Sequence, residues 1–466
     1  MSDARAAICR VSGPLDGGKG WPFGSPLAAL VSTHGYLVEE FLVDGTARAY
    51  APAPGTSPGL DGRWTVEPAG TAEYRTRMYV VRPSDPAQFS GVVIANWQNV
   101  TAGFDIGAPG VHDLAEGNVW VGVTTQRIAV VGQPSLTPGM PSTSASGLGA
   151  WDPDRYGTLR HPGDEYSYDI FTQAARTLVA DRPLDAIDPL GGLRPRLLVA
   201  TGESQSAMRL GSYINMVDDA ERLFDAFFLT LHWGLCPYPP NQQLFESFAP
   251  IGNGLSAGSA SIHDRGRAPI LVLNSESETL TCFPVRQPDT PTYRFWEMAG
   301  TAHMGGAIVR DMTETLARDG ISAVMPQDAM NDIDWGYVRN AGLAHLVGWA
   351  DGGPSPPSIP PITVENGAIV RDDIGNATGG IRLPDISVPT AVHSGTNANG
   401  IPAALTGQST RLSDGQLNML YPDAETYLKS WDDAVDVTRA QGFILESDLD
   451  DQRARGRMIA AELWPA

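Results

Sequence analysis

The stretch Leu197-Leu-Val-Ala-Thr-Gly202-Glu-Ser204-Gln-Ser206-Ala-Met-Arg-Leu210 runs from an apolar strand through Gly-x-Ser-x-Ser into a helix-forming segment. A serine on a sharp strand-to-helix turn has its hydroxyl exposed at the carboxyl edge of a sheet. The flanking residues two before and two after must be small so that the backbone clears the turn. Gly202 meets that demand fully and Ser206 nearly does, the usual second glycine being absent. The helix that follows brings a positive N-terminal end close to the hydroxyl. A serine-rich β–α loop without chemistry shares the short pattern, but the strand before it and the helix after it make Ser204 a candidate nucleophile.

A nucleophilic serine on a strand–Gly-x-Ser-x–helix turn requires an acid and a histidine downstream, in the order serine, acid, histidine. After an apolar run at 269–274 comes Ser275-Glu276-Ser277-Glu278-Thr279, and after a further strand at 293–298 comes Gly300-Thr-Ala-His303-Met-Gly305. A carboxylate at a strand end fixes the imidazole tautomer, and His303 on a glycine-flanked loop is the candidate base. Two carboxylates compete for the acid role. Glu278, three residues past the turn residue Ser275, is preferred, and Glu276, nearer the strand end, is the alternative. His161 and His232 read as structural or pocket-lining rather than catalytic. An oxyanion site needs two backbone donors: the amide of Gln205, and one from the compact polar loop Asn96-Trp-Gln-Asn-Val-Thr-Ala-Gly103, at Asn99 or Val100. Trp97, His232 and Trp233 are expected to line the substrate pocket.

Outward from this centre, short and wholly apolar runs at 91–95, 119–123, 196–200, 226–231 and 269–274 suit strands buried on both faces. Helical stretches are expected at 168–180, 206–217 and 307–318, so the pattern is α/β around a mostly parallel sheet. Residues 36–50 read as a strand pair around an Asp44-Gly45 turn, and Arg75–Arg82, with its Met-Tyr-Val-Val, as another strand. Three irregular regions, 132–165, 235–268 and 351–410, are long enough to carry binding surfaces or lids. No linker or internal repeat divides the chain, which predicts one elaborated domain over 1–466.

Composition narrows the chemistry. In 466 residues, 42% are hydrophobic and 18% charged, so the chain is globular. The formal net charge of −21 disfavours nucleic acid and anionic membrane surfaces as partners. No apolar run is long enough to span a bilayer, and the first residues lack the apolar centre of a secretory signal, which predicts a cytoplasmic protein. Lysine occurs only at 19 and 429, which weakens every lysine-dependent mechanism. Residues 13–20 nearly spell a phosphate-binding loop, but no Ser or Thr follows Lys19, and the segment reads as a flexible lead-in. Three cysteines without a C-x-x-C pair, and histidines without metal-ligand spacing, predict neither a zinc site nor another cofactor. Cys236 and Cys282 both follow predicted strands, yet free thiols are the expectation.

Several blocks together resemble the bacterial and fungal "alpha/beta hydrolase domain-containing" esterase-like family. They are the 96–103 loop, Arg155-Tyr-Gly157 with His161-Pro-Gly-Asp164, Tyr166-Ser-Tyr-Asp-Ile-Phe171, Gly202-Glu-Ser-Gln-Ser206, Gly300-Thr-Ala-His303 and Gly375-Asn-Ala-Thr-Gly-Gly380-Ile-Arg-Leu-Pro384. The resemblance implies an α/β-hydrolase fold in which 351–466 is an extra segment that covers the site, while the residues themselves mark a β-rich part at 30–90 and a lid insertion at 235–268. It also implies hydrolysis of a small-molecule carboxylic ester, with Ser204 as nucleophile and His303 as base. That family usually shows Ser-Glu-Thr-Asp where this chain has Ser275-Glu-Ser-Glu278, so either the longer Glu278 still reaches His303 or Glu276 is the acid. Lactone opening or acyl transfer would use the same groups. A lyase using them as acid and base, or a binding protein on the same fold, are the rival readings.

Overall fold

A computed structural model of the chain describes residues 7–132, 147–180, 186–238, 247–252, 255–321, 330–397 and 405–465. Parts of the three irregular regions, at 133–146, 239–246, 253–254 and 398–404, therefore lie outside the described residues. The chain forms two compact units that interleave along the sequence. The first comprises Met1–Ile270, Pro284–Gln287 and Thr313–Val324, and the second Leu271–Phe283, Pro288–Met312 and Met325–Ala466. No helix among the described residues is long and apolar enough to cross a membrane.

The first unit is built on strands β1 (Arg10–Ser12), β2 (Tyr36–Pro52), β3 (Val66–Pro83), β4 (Val92–Trp97), β5 (Val119–Val123), β6 (Leu197–Glu203) and β7 (Ala226–Thr230), in the spatial order β1-β2-β3-β5-β4-β6-β7. The strands β5, β4, β6 and β7 are parallel. All residues of β5 and β7 are buried, and all but one residue in each of β4 and β6. That burial explains the mostly apolar sequences that open these strands: neither face meets water, so no alternation is needed. Helices α1 (Ser167–Val179) and α2 (Gln205–Met216) fall where the apolar periodicity predicts them, and a third, α3, spans Gly306–Arg318. The chain visits β5 on one side of β4 and returns through α1 to place β6 on the other. The loops leaving β4 and β6 thus emerge side by side at a reversal of strand order, where open α/β sheets bind ligands.

The expected Asp44-Gly45 turn is absent. Residues Tyr36–Pro52 form one continuous strand paired along its length with β3, with Gly45 opposite Tyr74. The glycine serves close approach instead: a Cβ there would lie 2.8 Å from Gln173 Oε1 on α1. Tertiary pairing has overridden the local turn preference of Asp-Gly.

A buried ionic network ties β2 and β3 to the loop after β4. Arg77 has no exposed side-chain surface and donates to Glu40 Oε1 at 2.7 Å, Asp105 Oδ2 at 2.9 Å and Thr124 Oγ1 at 3.1 Å. Arg155 donates to the other Glu40 oxygen at 2.5 Å, and the Tyr156 hydroxyl to Glu40 Oε1 at 2.8 Å. Two guanidinium groups against two carboxylates leave the cluster neutral. The 13–20 segment is not a loose lead-in: Leu15 N–H donates to Glu40 O, Lys19 N–H to Asp152 Oδ2, and Arg155 reaches Gly17 O.

The second unit carries β8 (Ile270–Ser275) beside β9 (Tyr293–Met298), then helices α4 (Gly336–Ala350), α5 (Ala424–Ala440) and α6 (Leu449–Leu463). Trp431 on α5 is buried and donates its indole N–H to Gln452 O of α6, so the two helices close on each other through a satisfied aromatic. Cys9, Cys236 and Cys282 are all buried and none forms a disulfide.

Two stability tests follow from the first unit. Replacing Arg77 with Met leaves Asp105 buried without its guanidinium and Glu40 with Arg155 and Tyr156 alone, and loss of one partner of such a cluster costs about 3–5 kcal/mol. Urea denaturation should show a clearly lowered midpoint; an unchanged midpoint would contradict the role given to the network. Burial lowers the pKa of His232 from 6.5 to about 4. Its neutral form therefore contributes stability above the unfolded value, and that contribution is lost as pH falls from 6.5 toward about 4. The melting temperature of His232→Gln should fall less steeply than that of the wild type across this window. Parallel curves would reject the assignment.

Candidate active site

Ser204 joins β6 to α2 with φ 57° and ψ −117°, a backbone that L-residues adopt only when the surroundings hold it. Its N–H donates to Thr230 O at 2.9 Å on the adjacent β7, and its carbonyl accepts from Met208 N–H in the first turn of α2. Gly202 is required by space: a Cβ there would stand 2.7 Å from Ser206 O. Ser206, in place of the usual glycine, bridges the turn. Its hydroxyl donates to Glu203 O and accepts from Glu203 N–H, both at 2.9 Å.

The loop after β4 lies against this turn. In register Asn96 faces Thr201, and Asn96 Nδ2 donates to the Thr201 hydroxyl at 3.0 Å. Asn99 Nδ2 donates to Glu203 O at 2.9 Å, directly before the serine. The Asn99 N–H is occupied by Ile106 O at 2.9 Å, closing a small bridge in the loop. The N–H groups of Val100 and Gln205 have no hydrogen-bond partner among the described residues. Of the two candidates in this loop, then, only Val100 has an amide to offer.

The Gln205 side chain is buried and donates to Gln126 Oε1 at 2.9 Å. That oxygen also accepts from Trp97 Nε1 at 3.2 Å, and Gln126 Nε2 donates to Asp164 Oδ2 at 3.0 Å. These contacts give the motif around 161–164 its place: Asp164 braces the residue after the serine through Gln126. The sequence offered no local signal for Gln126, because the chain of bonds joins residues distant along it.

In the second unit, Ser275 ends β8 and caps a short helical turn. Its hydroxyl accepts from Ser277 N–H and donates to Glu278 Oε2 at 2.7 Å. Glu278 Oε2 also accepts from Ser275 N–H at 2.8 Å, leaving Oε1 to bond His303 Nδ1 at 2.6 Å. The longer side chain thus spans to the imidazole. Glu276 does not touch the imidazole in any contact described; its carboxylate receives Arg371, Gly300 N–H and Gly395 N–H. The His303 N–H itself donates to Ser277 Oγ at 2.9 Å.

The expected pocket residues fare differently. Trp97 has no accessible surface and packs against Tyr168 and Phe171, so it is a core residue. A short strand buried on both faces does not reveal which face a given side chain takes. His232 is buried too, accepting from Gly234 N–H at Nδ1 with Nε2 3.9 Å from Cys236 Sγ. Trp233 is half-buried against Phe248. His161 is structural: it is buried, bonded to Thr125 O at 2.7 Å, with its pKa lowered by burial. Among the described residues no group of His, Cys, Asp or Glu is arranged to hold a metal ion.

No curated protein matches the chain in sequence. Among solved structures it is similar to a bacterial heroin esterase at 15% identity and a TM-score of 0.28, over 63% of this chain and 89% of that one. A hyperthermophilic esterase from the archaeon Pyrobaculum calidifontis aligns at 16% identity and a TM-score of 0.26, over 58% and 77%. Oligopeptidase B from Leishmania major aligns at 13% and 0.29 over 61% of this chain, which spans only 37% of that peptidase's length. Likenesses this distant carry no argument about chemistry. The sequence model of the alpha/beta hydrolase domain family, by contrast, matches residues 11–454, and on that match over nearly its whole length the chain belongs to the alpha/beta hydrolase domain family.

Proposed function

We propose that the chain hydrolyses a small carboxylic ester through an acyl-enzyme on Ser204. His303 Nε2 takes the Ser204 proton as Oγ attacks the ester carbonyl carbon. The N–H groups of Val100 and Gln205 receive the developing oxyanion. The tetrahedral intermediate collapses and expels the alcohol, which leaves with the proton from His303. Water, deprotonated by His303, then attacks the acyl carbonyl and releases the acid, restoring Ser204. Glu278 holds the imidazole in the tautomer that makes Nε2 the base and stabilises the imidazolium in each step. No residue in this scheme needs a cofactor.

The observation that carries the reading is the backbone of Ser204: a non-glycine residue held at φ 57° beside two unengaged amides. Such strain has a purpose when it aims a nucleophile, and none in an ordinary β–α turn. Membership in the family and the serine, acid, histidine order support the same assignment.

Ser204→Ala should retain the wild-type circular dichroism spectrum while turnover of p-nitrophenyl butyrate falls by roughly 10⁴–10⁶-fold. Residual activity within tenfold of wild type would remove Ser204 from the mechanism. Glu278→Gln presents an amide to Nδ1 and favours the wrong tautomer, so kcat should fall by roughly 10⁴-fold. If it instead falls less than tenfold in folded protein, another group orients the imidazole.

A further inference from the structure

Two features are left without a task by this chemistry: the carboxylate of Glu276, and the long Gly-Asn-Ala-Thr-Gly-Gly-Ile-Arg-Leu-Pro motif at 375–384. Glu276 is 2% exposed and lies two residues before Glu278. Its Oε1 accepts from Arg371 Nη2 at 2.7 Å and Gly395 N–H at 3.1 Å, and its Oε2 accepts from Gly300 N–H at 2.8 Å. One carboxylate thereby joins four pieces of chain: the acid turn, the start of the His303 loop, and two points on the segment that follows. The Gly395 carbonyl in turn accepts from Ser277 Oγ at 2.5 Å, the hydroxyl that receives His303 N–H.

The 375–384 motif builds the support for these two points. Asp372 Oδ1 accepts from the N–H groups of Ile374, Gly375 and Asn376, folding the chain sharply beside Arg371. Asn376, fully buried, donates to Ala391 O and accepts from His393 N–H, which fixes the strand leading to Gly395. Ile381 exchanges backbone hydrogen bonds with Glu297 and Ala299, docking the motif on the end of β9, from which the His303 loop departs.

We infer that Glu276, held by Arg371 and the Gly395 amide, is a positioning residue that sets the geometry of the His303–Glu278 pair, and that the segment 371–395 is the bracket through which it acts. The role rests on the proposed esterase reading for its catalytic consequence, but not for its structural one. The imidazole and its acid sit on two separate loops, and productive geometry must be kept to a fraction of an ångström. Besides their mutual bond, His303 N–H donates to Ser277 Oγ and Glu276 N–H to Thr301 O, which tie the two loops to each other. The Glu276 carboxylate adds a tie of both loops to the segment that carries Arg371 and Gly395.

The test compares Glu276→Gln, Arg371→Gln, Arg371→Lys and the double variant Glu276→Gln/Arg371→Gln by two readouts. A glutamine at 276 sets an amide NH₂ against backbone or guanidinium donors. With p-nitrophenyl butyrate, Glu276→Gln and Arg371→Gln should lower kcat by roughly ten- to hundred-fold with KM within about twofold. The double variant should be no more than about twofold worse than the worse single variant, and Arg371→Lys should recover most of the loss. In one-dimensional proton spectra the far-downfield Nδ1–H resonance of His303, identified by its loss in Glu278→Gln, should broaden or move in both glutamine variants and persist in Arg371→Lys. Folded variants with unchanged kcat and resonance would overturn the role, as would a rise in KM at constant kcat, which marks a substrate contact. Should Glu276→Gln fail to fold, Arg371→Gln carries the test, since that side chain is 32% exposed. If wild-type protein turns over no ester, the esterase reading fails while the resonance still decides the positioning role.

Discussion

A serine backbone held at φ 57° between a buried strand and the first turn of a helix is the constraint on which the first unit is organised. That conformation persists only where the surroundings over-determine it. Here β7 takes the serine N–H, α2 takes its carbonyl, Gly202 leaves room for Ser206, and Ser206 laces the turn to Glu203. The loop after β4 then docks on the turn through Asn99, and the Arg77 network holds the far side of that loop through Asp105. Charge buried at Glu40, Arg77, Asp105 and Arg155 is a costly way to gain stability. Through Asp105 the cluster fastens the loop that carries Val100 to β3.

In the second unit the same principle recurs with different chemistry. Glu278 divides its two oxygens between the capping turn that bore it and the imidazole of His303. Glu276, its near neighbour, faces the other way and binds chain. Two glutamates separated by one residue on a tight turn point in different directions, so one bonds the imidazole while the other receives backbone and guanidinium donors.

The parts of this arrangement that were legible in the sequence are the local ones. The strand, glycine, serine and helix around Ser204 are contiguous, and Ser275 three residues before Glu278 is a capping pattern that already couples the two. What depends on distant pairing was not legible. Asp44-Gly45 carries a strong turn signal, yet its fate was decided by β3 and by Gln173. That the Asn99 amide is engaged by Ile106 O is set by a bridge that spacing does not announce. Trp97 lies in a strand buried on both faces, where alternation gives no direction. The 375–384 block is legible in the sequence only as part of a resemblance, because the contacts around it, from Arg371 and Gly395 to Glu276, join loops about a hundred residues apart.

The central claim is that Ser204 is an activated nucleophile. Treatment of the folded chain with a fluorophosphonate, followed by digestion and mass spectrometry, tests it most directly. One adduct per chain, on the peptide containing Ser204, with ester turnover lost in proportion to labelling, is the predicted result. An adduct located on another residue, or none at all on folded protein, would contradict it.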